Sequence, residues 1–214
     1  MKVAILGSGN VGRALGTGFV AKGHDVVMGS RDPESDAVKA WLADGGKGAS
    51  ATTYDEAAAW CELAVFVPVW TAAEEVIRAA GPDNLAGKIV IDVTNPLGPV
   101  PGMDFGIVTP LNDGSAAHVQ RWLPAARVVK AFNTTGQMLM FEPKLPGGPP
   151  TLPICGDDAD AKAVVAAIAE SFGWEPVDLG GISFSGYMDA LGMVWMRYGA
   201  QTGRWASALK YLHE

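Results

Sequence analysis

The sequence predicts an α/β fold in which a doubly wound parallel sheet carries helices on both faces and ends in a short C-terminal helical extension. Apolar runs of strand length alternate with Ala-rich segments of helical period, the pattern that buries a sheet between two helical layers. Runs such as VAIL and IVID are apolar throughout, as strands covered on both faces must be. A glycine-rich turn, GSGNVG at Gly7 to Gly12, joins the first strand to the first helix.

Taken in order, strands are predicted at Lys2 to Leu6, Asp25 to Gly29, Gly48 to Ala51, Leu63 to Val67, Ile89 to Val93 and Arg127 to Phe132. Helices are predicted at Val11 to Lys22, Pro33 to Asp44, Tyr54 to Trp60, Ala72 to Ala80 and Ala116 to Leu123. The Pro- and Gly-rich stretches 96 to 115 and 143 to 153 read as loops, the first long enough to suggest a binding role. TLPICGDDADAKAVVAAIAESFGWEPVDLG then reads as strand, helix, strand added to the same sheet, with GDDAD supplying the helix cap and an acidic first turn. From Ile182 onward the chain reads as helical. Residues 1 to 181 thus form a dinucleotide-binding domain, and 182 to 214 a helical segment belonging to it.

The chain has 214 residues, 49% of them hydrophobic and 18% charged, which suits one compact domain. A net charge of -7 argues against nucleic-acid or anionic-membrane partners, so any anionic ligand needs local positive groups. Cys61 and Cys155 stand in no metal-ligand spacing and read as buried core thiols in a reducing compartment. MKVAILGSGNVG is unlike a signal peptide, and nothing approaches the ~18 to 20 apolar residues of a membrane span, so a cytoplasmic location is expected.

G-x-G-x-x-G between a strand and a helix is the dinucleotide-binding context. Gly7 permits the tight turn, Gly9 admits the pyrophosphate, and Gly12 lets helix and sheet pack closely. The helix N-terminus then presents free N–H groups to the phosphates. At the end of the second strand an NAD enzyme would place a carboxylate against the ribose 2'-hydroxyl. Here Gly29, Ser30 and Arg31 stand there, a hydroxyl and a guanidinium suited to a 2'-phosphate, so NADPH is expected over NADH. Asp32 reads as a helix-capping group ahead of Pro33. Lys39 either adds charge toward that phosphate or is a solvated lysine.

Ligands of such sheets sit outside the strand carboxyl ends, here Pro68 to Thr71, Thr94 to Pro96 and Lys130 to Gly136. Asn95 and Asn133 can each donate and accept, as a nicotinamide amide requires, and Trp70 and Phe132 are ring walls or core aromatics. No catalytic acid or base and no metal-ligand cluster stands out. His24, His118 and His213 read as structural, surface and tail residues, and Lys130 lacks a dehydrogenase setting. Hydride transfer between two redox cofactors needs only proximity and orientation from the protein.

MKVAILGSGNVG, GSRDP, the NP after the fifth strand, VVKAFNT, CGDDADAK and WEPVDLG together resemble the NADPH-dependent coenzyme F420 reductase family over residues 1 to 181, and more weakly to the end. The resemblance implies hydride exchange between NADPH and the deazaflavin F420. It also implies kinship with the NADPH-binding part of membrane ferric reductases. It implies that Ser8, Asn10 and Val11 meet the pyrophosphate and Ser30 and Arg31 the 2'-phosphate. It places Val69 and Trp70 on the nicotinamide side and Ala131, Phe132 and Asn133 at the carboxamide, while Pro68 and Asn95 are expected there from their strand-end positions. The acceptor itself has no motif: F420, a flavin, a quinone or a ferric chelate all fit, with Arg197, Arg204 and Lys210 as cations for an acidic tail. A non-catalytic NADPH sensor would carry the same fingerprint. A hydroxyacid or imine dehydrogenase is disfavoured because only a short segment follows Gly181. Met188, Leu191, Trp195 and Tyr198 form an apolar stripe at helical spacing, expected to be buried in a homodimer that completes the acceptor pocket.

Overall fold

The computed structural model describes residues 1–45 and 48–212; His213 lies outside the described residues. The chain runs β1 (Lys2–Leu6), α1 (Asn10–Ala21), β2 (Asp25–Gly29), α2 (Asp36–Gly45), β3 (Ala49–Thr52), α3 (Tyr54–Trp60), β4 (Leu63–Phe66), α4 (Ala73–Ala80) and β5 (Ile89–Asp92). It continues with β6 (Leu97–Val100), β7 (Met103–Ile107), α5 (Ser115–Trp122), β8 (Arg127–Lys130), β9 (Thr151–Gly156), α6 (Ala159–Ser171), β10 (Glu175–Asp178) and α7 (Ser185–Thr202). The described residues form an eight-stranded sheet of order β10-β9-β8-β5-β4-β1-β2-β3. Alternate strand residues feed two cores: Val3 and Ile5 join Phe19, Trp41 and Phe172 on one face, Ala4 and Leu6 join Val76, Ile77 and Leu85 on the other. The chain leaves β1 for β2 on one side and returns through α3 to β4 on the other. The switch point, where a doubly wound sheet opens a crevice, is therefore between β1 and β4.

Four sequence expectations are corrected. The sheet is parallel from β3 to β8, but β9 pairs antiparallel to β8, and β10 follows β9. A parallel return needs a long crossover, usually a helix, and residues 131 to 150 contain only the short 3-10 turn Gln137–Leu139. The stretch 96 to 115, read as a loop, contains the β6–β7 hairpin, closed at Pro101-Gly102 where Gly102 has φ +79°. The helix expected from Pro33 begins at Asp36, because the Asp32 carboxylate accepts from the Glu34 amide and holds a turn first. Helix α7 stops at Thr202 with Gly203 left-handed, and the following tail is not helical. That tail folds back on its own chain: Trp195 Nε1 donates to Ser207 O, the Trp195 and Trp205 rings meet edge to face, and Thr151 N donates to Leu209 O. The predicted stripe is accordingly divided. Met188 is buried and Trp195 is covered from within, while Tyr198 remains exposed. Both cysteines are free thiols in the core, and burial pushes Cys155 up to about 12.

Helix α7 is fastened by a buried ion cluster. Lys130, Asp92 and Asp189 are each 0% exposed. Lys130 Nζ lies 2.8 Å from Asp189 Oδ1, 3.2 Å from Asp92 Oδ2, 2.7 Å from Thr94 O and 2.6 Å from Ser115 Oγ. Asp189 also accepts from the Ser115 amide at the start of α5, and Asp92 from the Thr94 amide and hydroxyl. At the same contact a Cβ on Gly186 would lie 2.3 Å from Leu111 O, so α7 reaches the chain before α5 only because no side chain intervenes. Burial alone would depress the Lys130 ammonium, but attraction by Asp189 and Asp92 outweighs it and raises its pKa above the ordinary lysine value.

Lys130→Met leaves two buried carboxylates without their cation, and should cost about 3 to 5 kcal/mol in urea denaturation. A loss below about 1 kcal/mol would show that the cluster does not secure α7. Because the folded pKa of Lys130 is raised, its contribution is complete below the unfolded value and is lost as pH climbs through the folded one. The gap between wild type and variant should therefore narrow only above about pH 10.4.

Candidate functional site

The glycine turn presents α1 to the crevice uncapped. Gly7 has φ +139°, and an added Cβ would meet Val67 O at 3.0 Å; at Gly12 it would stand 2.0 Å from Gly7 O. Gly9 differs, since nothing lies within 4 Å of the Cβ it lacks. In a dinucleotide-binding turn such a gap is what lets a pyrophosphate approach the backbone. Gly9 precedes α1 with no side chain capping the helix and no acidic residue in the first turn, so the amides of Asn10, Val11 and Gly12 remain for an anion.

On one side of Gly9 lies a cavity of about 180 Å³ bounded by Gly7, Ser8, Arg31, Tyr54, Val67, Pro68 and Glu75. Ser30 is buried, and its hydroxyl lies 3.2 Å from that of Ser8 and bonds the backbone of Asp32. It thus ties the glycine turn to the turn after β2. Arg31 is exposed and enters no ion pair among the described residues. Burial raises the Tyr54 hydroxyl, with the nearby Arg31 charge opposing. Lys39 pairs with Glu34 at 3.3 Å, on the surface.

On the other side a cavity of about 370 Å³ is bounded by Asn10, Val11, Pro68, Val69, Trp70, Asn95, Leu97, Phe132, Asn133 and Thr135. Val69 stands 72% exposed at its mouth. Trp70 packs against His118 and Trp122 of α5 and also lines the cavity. His118, expected on the surface, is a half-buried member of that aromatic group, 3.3 Å from Asp113, whose carboxyl is lowered chiefly by its bonds to Arg121. Asn95 and Asn133 bond each other: Asn95 Nδ2 donates to Asn133 O, and Asn133 Nδ2 donates to Asn95 Oδ1 and Met188 O. The Asn133 amide nitrogen holds α7 over the crevice, and Asn133 Oδ1 is left buried without a partner. Ala131, expected at the carboxamide, is buried in the core and lines neither cavity. Phe132 is core and cavity wall at once, with φ +61°. His24 is remote, 3.2 Å from the N-terminal amine.

Sequence reasoning missed Arg13, Tyr54 and Leu97, and held Thr135 only within the segment Lys130 to Gly136. Thr135 lies two residues beyond Asn133 in KAFNTTG, and its buried hydroxyl also lacks a partner. Arg13 Nη1 donates to Ser8 O at 3.4 Å, and Nη2 bonds the Asn10 side chain. Its signal was its place one turn into the helix that opens at the phosphate turn. The three cations named for an acidic tail do not form one patch. Lys210 is taken by Glu175 and Pro149 O, whereas Arg197 lines a groove with Met103 and Phe105.

A doubly wound sheet with a glycine turn, an uncapped helix and a two-sided crevice defines a dinucleotide-binding protein. The family model described as NADP oxidoreductase coenzyme F420-dependent matches residues 2–96. F420-dependent NADP reductase of Methanothermobacter thermautotrophicus is 32% identical over 193 residues, covering 85% of this chain and 82% of that protein. A crystal structure of a protein from Arthrobacter sp. FB24, provisionally named an F420-dependent NADP reductase, superposes with a TM-score of 0.93 at 33% identity over 100% of both chains. Metalloreductase STEAP3 of Rattus norvegicus is 32% identical over 191 residues, 89% of this chain, but the chain spans only 36% of that protein's length. The chain belongs to the F420-dependent NADP reductase family, whose members are NADP-dependent oxidoreductases. Among the described residues no helix is long and apolar enough to cross a membrane.

The two glycines separate folding from binding. Gly9→Val should keep wild-type circular dichroism and thermal stability while abolishing NADPH binding, since its side chain enters open space. Gly12→Ala should instead lower the melting temperature by several degrees, because the methyl group meets the Gly7 carbonyl. Retained NADPH affinity in Gly9→Val would remove the pyrophosphate from this turn.

Proposed function

We propose that the chain passes hydride between NADPH and F420 or a flavin-like acceptor. One observation supports this most strongly: the two cavities meet at Gly9, a charged end at Arg31 on one side and an apolar-walled end with an unpartnered Asn133 Oδ1 on the other. A dinucleotide is charged at the adenosine phosphate and flat at the nicotinamide, and it would satisfy that oxygen with its carboxamide N–H. NADPH supplies the hydride when bound. Gly9 and the amides of Asn10, Val11 and Gly12 hold the pyrophosphate, with Gly7 and Ser8 shaping the turn. Arg31 holds the 2'-phosphate, and Ser30 fixes the turn that presents it. Pro68, Val69, Trp70 and Phe132 wall the nicotinamide and exclude water, and Asn95 orients Asn133. In this reading Val69 at the open mouth borders the acceptor.

The test is NADPH oxidation with F420, FMN, a quinone and a ferric chelate. Turnover with F420 or FMN supports the reading. Turnover confined to the quinone or ferric chelate moves the acceptor, and tight NADPH binding without turnover makes the protein a sensor. Arg31→Ala should weaken NADPH by about tenfold or more and leave NADH nearly unchanged, as loss of a charged hydrogen bond requires. Equal weakening of both would assign Arg31 to the fold.

We further propose that the active protein is a cytoplasmic homodimer. Trp195 is covered by its own tail, but Tyr187, Val194 and Tyr198 stay exposed on α7 beside Met103 and Phe105 of the hairpin. A two-fold contact would bury this face from both chains. Val194→Asp should then shift sedimentation velocity toward monomer. A wild-type monomer at micromolar concentration would end this proposal.

A further inference from the structure

The Arg13 guanidinium is linked to the turn that follows β2 through Ser8. Its Nη1 is 3.4 Å from Ser8 O, and Ser8 Oγ is 3.2 Å from Ser30 Oγ, directly before Arg31. The face of α1 that carries Arg13 looks toward α2: one turn on, Thr17 Oγ1 accepts from Trp41 Nε1, and α2 is the helix entered from the Ser30 turn. Ser8 O and Asn10 Oδ1 are the only hydrogen-bond acceptors of Arg13 among the described residues. Asp44 lines the same α1–α2 groove without pairing with it. Two of the guanidinium's five N–H donors are used, both on the glycine turn and the first residue of α1, and the others face the α1–α2 groove that Arg13 lines.

A phosphate monoester carries up to two negative charges near neutral pH, more than one exposed arginine neutralises. In a chain of net charge -7, the remainder must come from cations set close to the site. We propose that Arg13 and Arg31 form a two-arginine clamp on the 2'-phosphate of NADPH. Arg31 reaches it from the loop, and Arg13 reaches it from α1, held by the turn that also receives the pyrophosphate. The clamp rests on the NADPH reading above, and it makes Arg13 a specificity-determining residue in addition to a brace for the Ser8 turn.

The experiment is calorimetric titration of wild type and Arg13→Gln with two matched pairs, NADPH with NADH and 2',5'-ADP with 5'-ADP, thermal denaturation confirming the fold. The clamp predicts that Arg13→Gln weakens NADPH and 2',5'-ADP by about tenfold or more, and leaves NADH and 5'-ADP within about twofold. Arg13→Lys keeps the charge without the fork, and should show the same selective loss in smaller measure. It decides the matter if the Gln variant does not fold. Equal weakening within each pair would assign Arg13 to the pyrophosphate or to turn geometry, and no weakening would assign it to solvent; either overturns the clamp. A wild type without preference for NADPH overturns the clamp and the NADPH reading together. Preference kept in wild type and in both Arg13 variants overturns the clamp alone.

Discussion

The architecture of the site depends on where Lys130 puts its charge. A strand residue that faces the interior would ordinarily be apolar, and an ammonium there is tolerated only if every donor is used and the charge is met. Asp92 from β5 and Asp189 from α7 meet it, while Ser115 from α5 and the Thr94 carbonyl fill the remaining directions. One buried group thus joins two central strands, the start of one helix and the body of another. The interaction specifies more than it stabilises, because an apolar replacement of the whole cluster could pack as well but would not fix the rotation of α7. With Asp189 pinned, Met188 O lies where Asn133 donates to it, and Asn133 lies where Asn95 holds it. The floor of the crevice follows from a buried contact that reaches it only at Thr94.

The part of the fold visible in the sequence is the part determined locally. Tyr54–Trp60 was legible to the residue, and so were Lys2–Leu6 and Asp25–Gly29, because apolar runs of strand length and a short Ala-rich helical segment need no distant partner. Asp158 accepts from the Ala161 amide as GDDAD implied. What stayed hidden was set by distant contacts. Lys130 in VVKAFNT gives no sign of being buried, since its partners Asp92 and Asp189 come from elements far away in sequence. The direction of β9 was hidden because it follows from what residues 131 to 150 lack, a helix long enough to carry the chain back. The tail's return to Trp195 was hidden because an indole in an amphipathic stripe looks the same whether a second chain or its own tail covers it. Within the site, Asn95 and Asn133 were found as polar groups at strand ends, but only geometry shows that each spends its nitrogen on the other.

Two helix N-termini in this chain receive opposite treatment, and the contrast explains how an acidic protein accommodates an anion. Helix α6 is closed by Asp158, with Asp160 in its first turn, so its positive end is neutralised internally. Helix α1 begins at GSGN with neither a side-chain cap nor an acidic residue. Its amides keep their partial charge for whatever enters the crevice. Repulsion from the negative surface falls off within about 8 Å at physiological salt, so the field at the turn is decided by groups within a few ångströms. Arg13 and Arg31 flank this end of α1, and the carboxylates of the segment, Asp32 and Glu34, are turned to the backbone and to Lys39.

Phe132 shows where the fold accepts strain to obtain this arrangement. A left-handed conformation costs an L-residue roughly 1 to 2 kcal/mol, and a bulky aromatic rarely adopts it. Here φ is +61° at the first turn of chain beyond β8, between core residue Ala131 and the crevice residue Asn133. A glycine would relieve the backbone but would remove the ring that is buried against Phe172 and forms the cavity wall. The ring holds the residue in place, and the positive φ turns the backbone out of the strand conformation just past β8. Asn133 is thereby directed to Asn95 and Met188 instead of continuing along the sheet. Strain at this one residue is what lets a strand whose previous side chain, Lys130, serves the interior deliver its next polar side chain to the crevice.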